Sequence, residues 1–449
     1  MLRPVKEQGM EASGSVGDDL LEQAVRSLAR RPRVLPLTCA VRHYAWGGHD
    51  FIPELLGLEH PRPEPFAELW IGAHPVAPAT VTIDGFDLPL DRLLACASDQ
   101  VLGPEMSGRF AATLPYLLKI LDVRAMLSIQ AHPDKRQAEG GFRRENAAGV
   151  PRAAALRNYR DDNHKPEASI ALTDFWMLFG FKTPEAIADT LDGVPELKPL
   201  AAGFRSGLTA ADQDALARRG LLMSLYEQVM TLPQPEIDRL LTPLVTRLKR
   251  LADRGALSRE SPDYWAARGS ALYPLPGGHL DRGLISIYLL NLVRLEPGQG
   301  IYIPAGVLHA YLEGIAVEVM ASSDNVLRGG LTPKHVDVPE LLKILAFDST
   351  RPVLLGGEPI SAVERRFATP AVEFELSRLD LPSSHPHVVS RVWGADALVV
   401  IDGRADIEAG GETASLERGA AVLVPNDMAY TLRATRPATL FKVSVPHPL

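Results

Sequence analysis

Leu295-Glu-Pro-Gly298, with Pro304 and His309 behind it, returns 121 residues later as Leu416-Glu-Arg-Gly419, with Pro425 and Tyr430 behind it. Every matched position keeps the same offset. A glycine turn followed six residues on by proline at a strand end is a device of small β-barrels, so the echo predicts two barrel units. The units differ at the last matched position, an imidazole in the first and a phenol in the second. Phenol is the poorer ligand for a divalent ion at neutral pH. A metal in the first unit is therefore expected to have no counterpart in the second.

Outward from this pair the chain divides into five stretches. Residues 1–33 read as an N-terminal extension in which Leu20, Leu21, Ala24, Val25 and Leu28 line a short amphipathic helix. Residues 34–182 are the first part of a catalytic β domain. Ala79–Ile83 alternates and is β-branched ahead of the turn Asp84-Gly85, and Glu167–Phe181 is strand-like. Asp134–Asn163 between them reads as a polar surface excursion. Residues 183–270 form a helical insert, because Ile237, Leu240, Leu241, Leu244, Leu248 and Leu251 recur at helical spacing before Gly255. Within it, Pro243 is expected at the first turn of a new helix and Thr209–Asp212 has the pattern of a capping box. Residues 271–348 resume the catalytic domain, strand-like from Leu284 and helical over Pro339–Leu345. Residues 349–449 form the second β unit. The expected fold class is mainly β with an α insert.

Composition narrows the function. The 449 residues carry a net charge of −8, which argues against nucleic acid as a partner and requires a local basic cluster for any anionic ligand. Two cysteines, Cys39 and Cys96, cannot build a disulfide framework or a thiolate zinc site. No apolar run approaches the roughly 20 residues that span a bilayer. Met1–Gly17 lacks an apolar signal core, so the cytoplasm is the expected location.

Four segments carry candidate chemistry. In Ser128-Ile-Gln130-Ala-His132, residues two apart share one face of a strand. Asn163-His164-Lys165-Pro166-Glu167 gathers two nitrogen bases beside a carboxylate, with Pro166 holding Lys165 extended. A strand-end turn presents His309, with Tyr311 two residues on. Glu318–Lys334 crowds Asp324, Arg328 and Lys334 around Gly329-Gly330. Two imidazoles, a carboxylate and an amide oxygen could hold one metal ion, and zinc, Fe(II) or Mn(II) would all accept such a set. His74, His335, His385 and His387 show no spacing that demands a metal.

Several strings resemble type I mannose-6-phosphate isomerases: Tyr44-Ala-Trp-Gly47, Ala67-Glu-Leu-Trp-Ile-Gly-Ala-His-Pro75, Ser128–Pro133, Asn163–Glu167, Ala310–Gly314 and Val319–Lys334. The resemblance runs from about residue 34 to 348, and Gly141–Val150 is similar to the bacterial branch. It implies a cupin-type barrel (a jelly roll) split by a helical domain, followed by a metal-free cupin-like β domain. It also implies one Zn2+ per chain on Gln130, His132, Glu167 and His309, with the family's active-site arginine falling on Arg328. The activity implied is interconversion of D-mannose 6-phosphate and D-fructose 6-phosphate through a zinc-stabilised cis-enediolate, feeding mannose and GDP-mannose metabolism.

Within that reading Lys165 and His164 are the expected pair for proton transfer between C1 and C2. Asp324 would assist ring opening, and Glu318 is a further acid–base candidate. Arg328, Lys119, Ser128, Lys334 and Tyr311 are the candidates for binding the sugar phosphate. The expected partner is this small molecule alone, without nucleic acid or membrane, on a monomer with a homodimer as the alternative. Two other readings stand beside it: another metal-dependent cupin sugar-phosphate isomerase, and a non-catalytic sugar-phosphate-binding cupin.

Overall fold

The computed structural model describes residues 18–59, 63–212 and 214–447; the first half of the expected N-terminal extension lies outside them. The fold turns on one long strand, His309–Ala321, which belongs to two sheets at once. Its first part pairs with Ile129–Ala131 and Phe175–Phe181, its second with Tyr116–Val123 and Glu167–Ala171. The switch falls at Gly314, whose φ is 128° and where a Cβ would lie 2.4 Å from the Asp174 carbonyl oxygen. Only glycine fits there. The interior of this first unit is filled by Leu121, Val123, Phe175, Met177, Leu295 and Ile301.

Alternate residues of the same strands face the second unit. Leu118, Ile120, Ala168, Ile170, Val317 and Val319 join Leu376, Ala397, Val399, Phe441 and Val443 in one core along the seam. Cover on both faces explains why Tyr116–Val123 is buried at every position. Each aliphatic side chain so buried contributes about 1.5–3 kcal/mol before chain entropy is charged against it. The second unit's nine-stranded sheet also takes in Leu35–Thr38, Thr80–Ile83 and Phe86–Pro89. The N-terminal part of the chain thus feeds both units, because Leu35, Leu37 and Val81 belong to the seam core.

Strand register supports the echo read from sequence. Ile303 stands opposite Glu167, and Val424, its echo, stands opposite Asp396. His309 stands opposite Gln130, and Tyr430 stands opposite Val389. Gly298 and Gly419 both take positive φ, 87° and 81°.

Helices over Pro184–Gly193, Lys198–Ala211, Ala215–Thr231, Gln234–Asp253 and Pro262–Leu272 make up the insert, packed on the outside of the first unit through Ile129, Leu178, Leu308 and Leu327. Three local expectations are corrected here. Pro243 does not start a helix: Gln234–Asp253 runs through it, held by its buried face of Ile237, Leu240, Leu241, Leu244 and Leu248. Thr209 lies inside a helix, bonding back to the Arg205 carbonyl, and Asp214 caps the next one. Leu284 begins within a short helix, Gly283–Leu289, and the strand starts at Leu290. The expected polar excursion contains the helix Lys135–Ala147, whose Asp134–Gln137 capping box is complete. Among the described residues no helix is long and apolar enough to cross a membrane.

Candidate active site

Three strands of the first unit converge at one end of its interior. Glu167 opens its strand, His309 opens the long strand, and His132 follows Ile129–Ala131 directly. Their ligand atoms lie within 4.8 Å of one another, and all three side chains are buried. His132 Nε2 is 3.5 Å from Glu167 Oε1, and His309 Nε2 is 3.3 Å from Glu167 Oε2. Each ring turns its other nitrogen to a carbonyl, His132 Nδ1 to Asn325 O at 2.7 Å and His309 Nδ1 to Val307 O at 3.0 Å. Those bonds place the ring protons on Nδ1 and leave both Nε2 lone pairs facing a carboxylate.

Two lone pairs and an anion in one dry pocket repel unless a cation lies between them. Among the described residues, His132 Nε2 and Glu167 Oε2 indeed have no hydrogen-bond partner. Burial and the nearby Lys165 push the His132 imidazole down to about 4, so it is neutral. Burial would raise Glu167, but Lys165 and His132 outweigh it and hold the carboxyl well below its usual range. The donor set therefore fits a divalent ion. Gln130, half-buried and opposite His309 in register, stands on the adjoining strand position.

The same unit holds a compensated charge layer. Lys119 Nζ sits 3.1 Å from Glu318 Oε2 and 3.5 Å from Glu68 Oε2. Tyr311 Oη donates to Glu318 Oε1 at 2.7 Å and lies 2.8 Å from Ser169 Oγ. Burial works against the Lys119 charge, yet Glu68 and Glu318 more than restore it and raise its pKa.

With this geometry in place, the likeness to known proteins is direct. A family model described as phosphomannose isomerase type I, catalytic domain, matches residues 34–184. Mannose-6-phosphate isomerase of Escherichia coli K12 is 35% identical over 399 residues, covering 88% of this chain and 95% of that protein. The Homo sapiens protein of the same name is 32% identical, over 91% of this chain and 97% of its own. The chain belongs to the type I phosphomannose isomerases. Among solved structures, a point variant of phosphomannose isomerase from Salmonella typhimurium superposes with a TM-score of 0.81 at 32% identity, covering 92% of this chain and all of that one. A zinc-bound mannose 6-phosphate isomerase gives 0.79 at 33%, with the same coverage. The cupin fold expected from sequence is the fold of this family.

The remaining candidates for this phosphomannose isomerase site do not all face the same way. Lys165 Nζ reaches Glu167 Oε1 at 2.9 Å. His164, its sequence neighbour, turns to the second unit instead and pairs with Glu373 at 2.6 Å. Adjacent residues in extended backbone point to opposite faces, which is why proximity in sequence does not bring both to the metal. Asp324 lies 3.5 Å from His74 Nε2. Arg328 is opposite Gln130 in register, and Ser128 is half-buried one turn of pleat away. Arg328, the exposed Lys334 and Arg160 are close enough that Arg328 and Arg160, after burial, depress Lys334, and burial with Arg160 depresses Arg328.

Four contributors escaped sequence reading: His74, Glu68, Arg160 and Asn325. His74, Glu68 and Asn325 lie inside motifs already singled out, and Arg160 just precedes one. What was missing was their direction, which only the tertiary fold supplies.

Proposed function

We propose that this chain interconverts D-mannose 6-phosphate and D-fructose 6-phosphate, with one zinc ion held by Gln130, His132, Glu167 and His309. The observation that carries this reading is the pair of buried imidazoles, each locked through Nδ1 to a backbone carbonyl, turning Nε2 towards one buried carboxylate. Zinc bound there would supply Lewis acidity towards the sugar oxygens, worth several kcal/mol as negative charge develops beside the carbonyl. Lys165, next to Glu167, removes the proton at C2 and returns it at C1 through a cis-enediolate, a step typically worth about 10²–10⁴-fold. His164 braces the segment that presents Lys165, and Asp324 assists ring opening. Glu318 holds Tyr311 and Lys119 towards the sugar hydroxyls, with Ser128 at the rim.

Arg328, Lys334 and Arg160 form the seat for the phosphate. None of the three has a carboxylate within ion-pair distance among the described residues, whereas Lys119 is already neutralised between two. Mutual repulsion of the three cations is relieved by a dianion, and guanidinium groups match phosphate oxygens bidentately. The product would enter mannose and GDP-mannose metabolism in the cytoplasm, with the chain acting as a monomer.

A coupled assay started with mannose 6-phosphate tests the whole reading. Chelation should abolish turnover, one equivalent of zinc should restore it, and metal analysis should find one ion per chain. Turnover that survives complete metal removal, or none on this substrate with zinc bound, would refute it.

A further inference from the structure

His74 ends the run that begins with the strand Glu68–Ile71, and it has no place in the chemistry described so far. Pro75 restricts its backbone to extended conformations, and its carbonyl accepts from Ala77 N–H at 3.0 Å. The ring is driven inward, only 4% exposed, edge-on to Trp70 with centroids 5.0 Å apart. Val76 N–H points at Nδ1 from 3.4 Å, which makes Nδ1 the acceptor and places the ring proton on Nε2. That Nε2–H faces Asp324 Oδ1 at 3.5 Å. The Asp324 side chain is 39% exposed, so it meets solvent while its partner is buried.

Asp324 is also tied through its main chain, its N–H donating to Asp161 Oδ2 at 2.7 Å. The carboxylate still turns on its own side-chain torsions, and His74 is the group placed to fix it. Burial lowers the imidazole pKa, and Lys119, Lys165 and Arg42 add to it against Asp324, which favours the neutral ring. A neutral ring can donate to a carboxylate without cancelling its basicity. Such contacts are often long before substrate binds and tighten in the complex.

We propose that His74 is a positioning residue for Asp324, its Nε2–H aiming the carboxylate at the anomeric end of the sugar. This rests on the reading above that Asp324 assists ring opening. In that step the C1–O5 bond breaks, the O1–H proton passes to Asp324, and O5 takes a proton from solvent.

The experiment uses the zinc-loaded full chain. His74→Phe keeps the contact with Trp70 and removes the N–H, while His74→Gln keeps a donor of similar reach. His74→Phe should lower kcat about 10- to 100-fold, within the range for a misplaced acid–base group, with KM changed less than threefold and zinc content intact. His74→Gln should recover most of the loss. Asp324→Asn should cost at least as much, and the double variant His74→Phe/Asp324→Asn no more than Asp324→Asn alone. Equal loss in His74→Phe and His74→Gln, strictly multiplicative losses in the double variant, or wild-type turnover of His74→Phe would each overturn the proposal. Anomer exchange of mannose 6-phosphate, followed by magnetisation transfer, separates the underlying reading. If Asp324→Asn leaves that exchange untouched, ring opening is not its step, while a non-multiplicative double variant would still show that His74 positions it.

Discussion

Asn325 shows how much of the site is settled by residues that touch no substrate. It is fully buried, and its Oδ1 accepts from the N–H groups of Arg160 and Asp161 while its Nδ2 donates to the carbonyls of Asp161 and Asn163. Its own carbonyl fixes the tautomer of His132, which lies 193 residues away in sequence. One side chain therefore positions a metal ligand, a phosphate cation and the segment leading to Lys165. Asn325→Leu strands several buried polar groups at about 1–3 kcal/mol each, so the thermal midpoint should fall clearly. Zinc affinity in a chelator competition should drop roughly 10- to 100-fold. An unchanged zinc affinity would show that His132 orients itself without this carbonyl. Arg160→Ala should raise KM several-fold and leave kcat within about twofold, the pattern of uniform binding lost; a fall in kcat at constant KM would remove Arg160 from the phosphate seat. His132, Glu167 and His309, which the fold brings together, were named from sequence with Gln130 as the ligand set that the family resemblance implied. Asn325, Arg160 and His74 were not legible there, because their roles depend on which residues a loop meets across the fold.

Elements show the same division. The strands were legible where apolar runs end in turns, as at Thr80–Ile83 with Asp84 and Gly85 both at positive φ. The helix Lys135–Ala147 was hidden because only Ala138 and Gly141 are buried on it, leaving no apolar stripe to read. Pro243 misled for the opposite reason. Its local rule is sound, but the buried leucines on both sides hold one continuous helix against the loss of a backbone hydrogen bond and the clash with the preceding turn. Pro243 itself is exposed, so the strain is not offset by packing of its own ring. Pro243→Ala should therefore stabilise the insert by about 1–3 kcal/mol, less the few tenths that proline contributes by restricting the unfolded chain. A raised midpoint in urea denaturation followed by helical circular dichroism is the expected result. A lowered one would mean that the proline bends the helix usefully onto the first unit.

At the scale of the molecule, the two β units are variations on one polar interior. Register places Asp396 where the first unit has Glu167, Tyr430 where it has His309, and Val389 where it has Gln130. Glu364 takes the place of Glu68, while Ser377 and Lys442 take those of Lys119 and Glu318, so the lysine has moved one strand over. It still neutralises the layer, with Lys442 Nζ 2.7 Å from Glu364 Oε1. His387 is buried beside this pair, and burial together with Lys442 pushes it down to about 4. A folded value below the unfolded one means that stability is complete above about 6.5 and is lost as pH falls towards 4. On the order of 2 kcal/mol should disappear across that window, and His387→Gln should flatten the decline in denaturation midpoints between pH 6.5 and 5. An unchanged slope would place the acid sensitivity elsewhere. The same register governs metal content. In the second unit Tyr430 Oη donates to Asp396 Oδ2 at 2.9 Å, so the two would-be ligands satisfy each other. Two residues past Val389, the position matching His132 is Arg391, largely exposed and paired with Asp427 at 2.6 Å. In that self-paired set the carboxylate is already satisfied by a phenol, whereas in the first unit His132 Nε2 and Glu167 Oε2 have no hydrogen-bond partner among the described residues. Zinc content should therefore be one per chain and stay at one in Asp396→Asn, with turnover unaffected. Two ions in the wild-type chain and one in Asp396→Asn would reveal a second functioning centre in the distal unit.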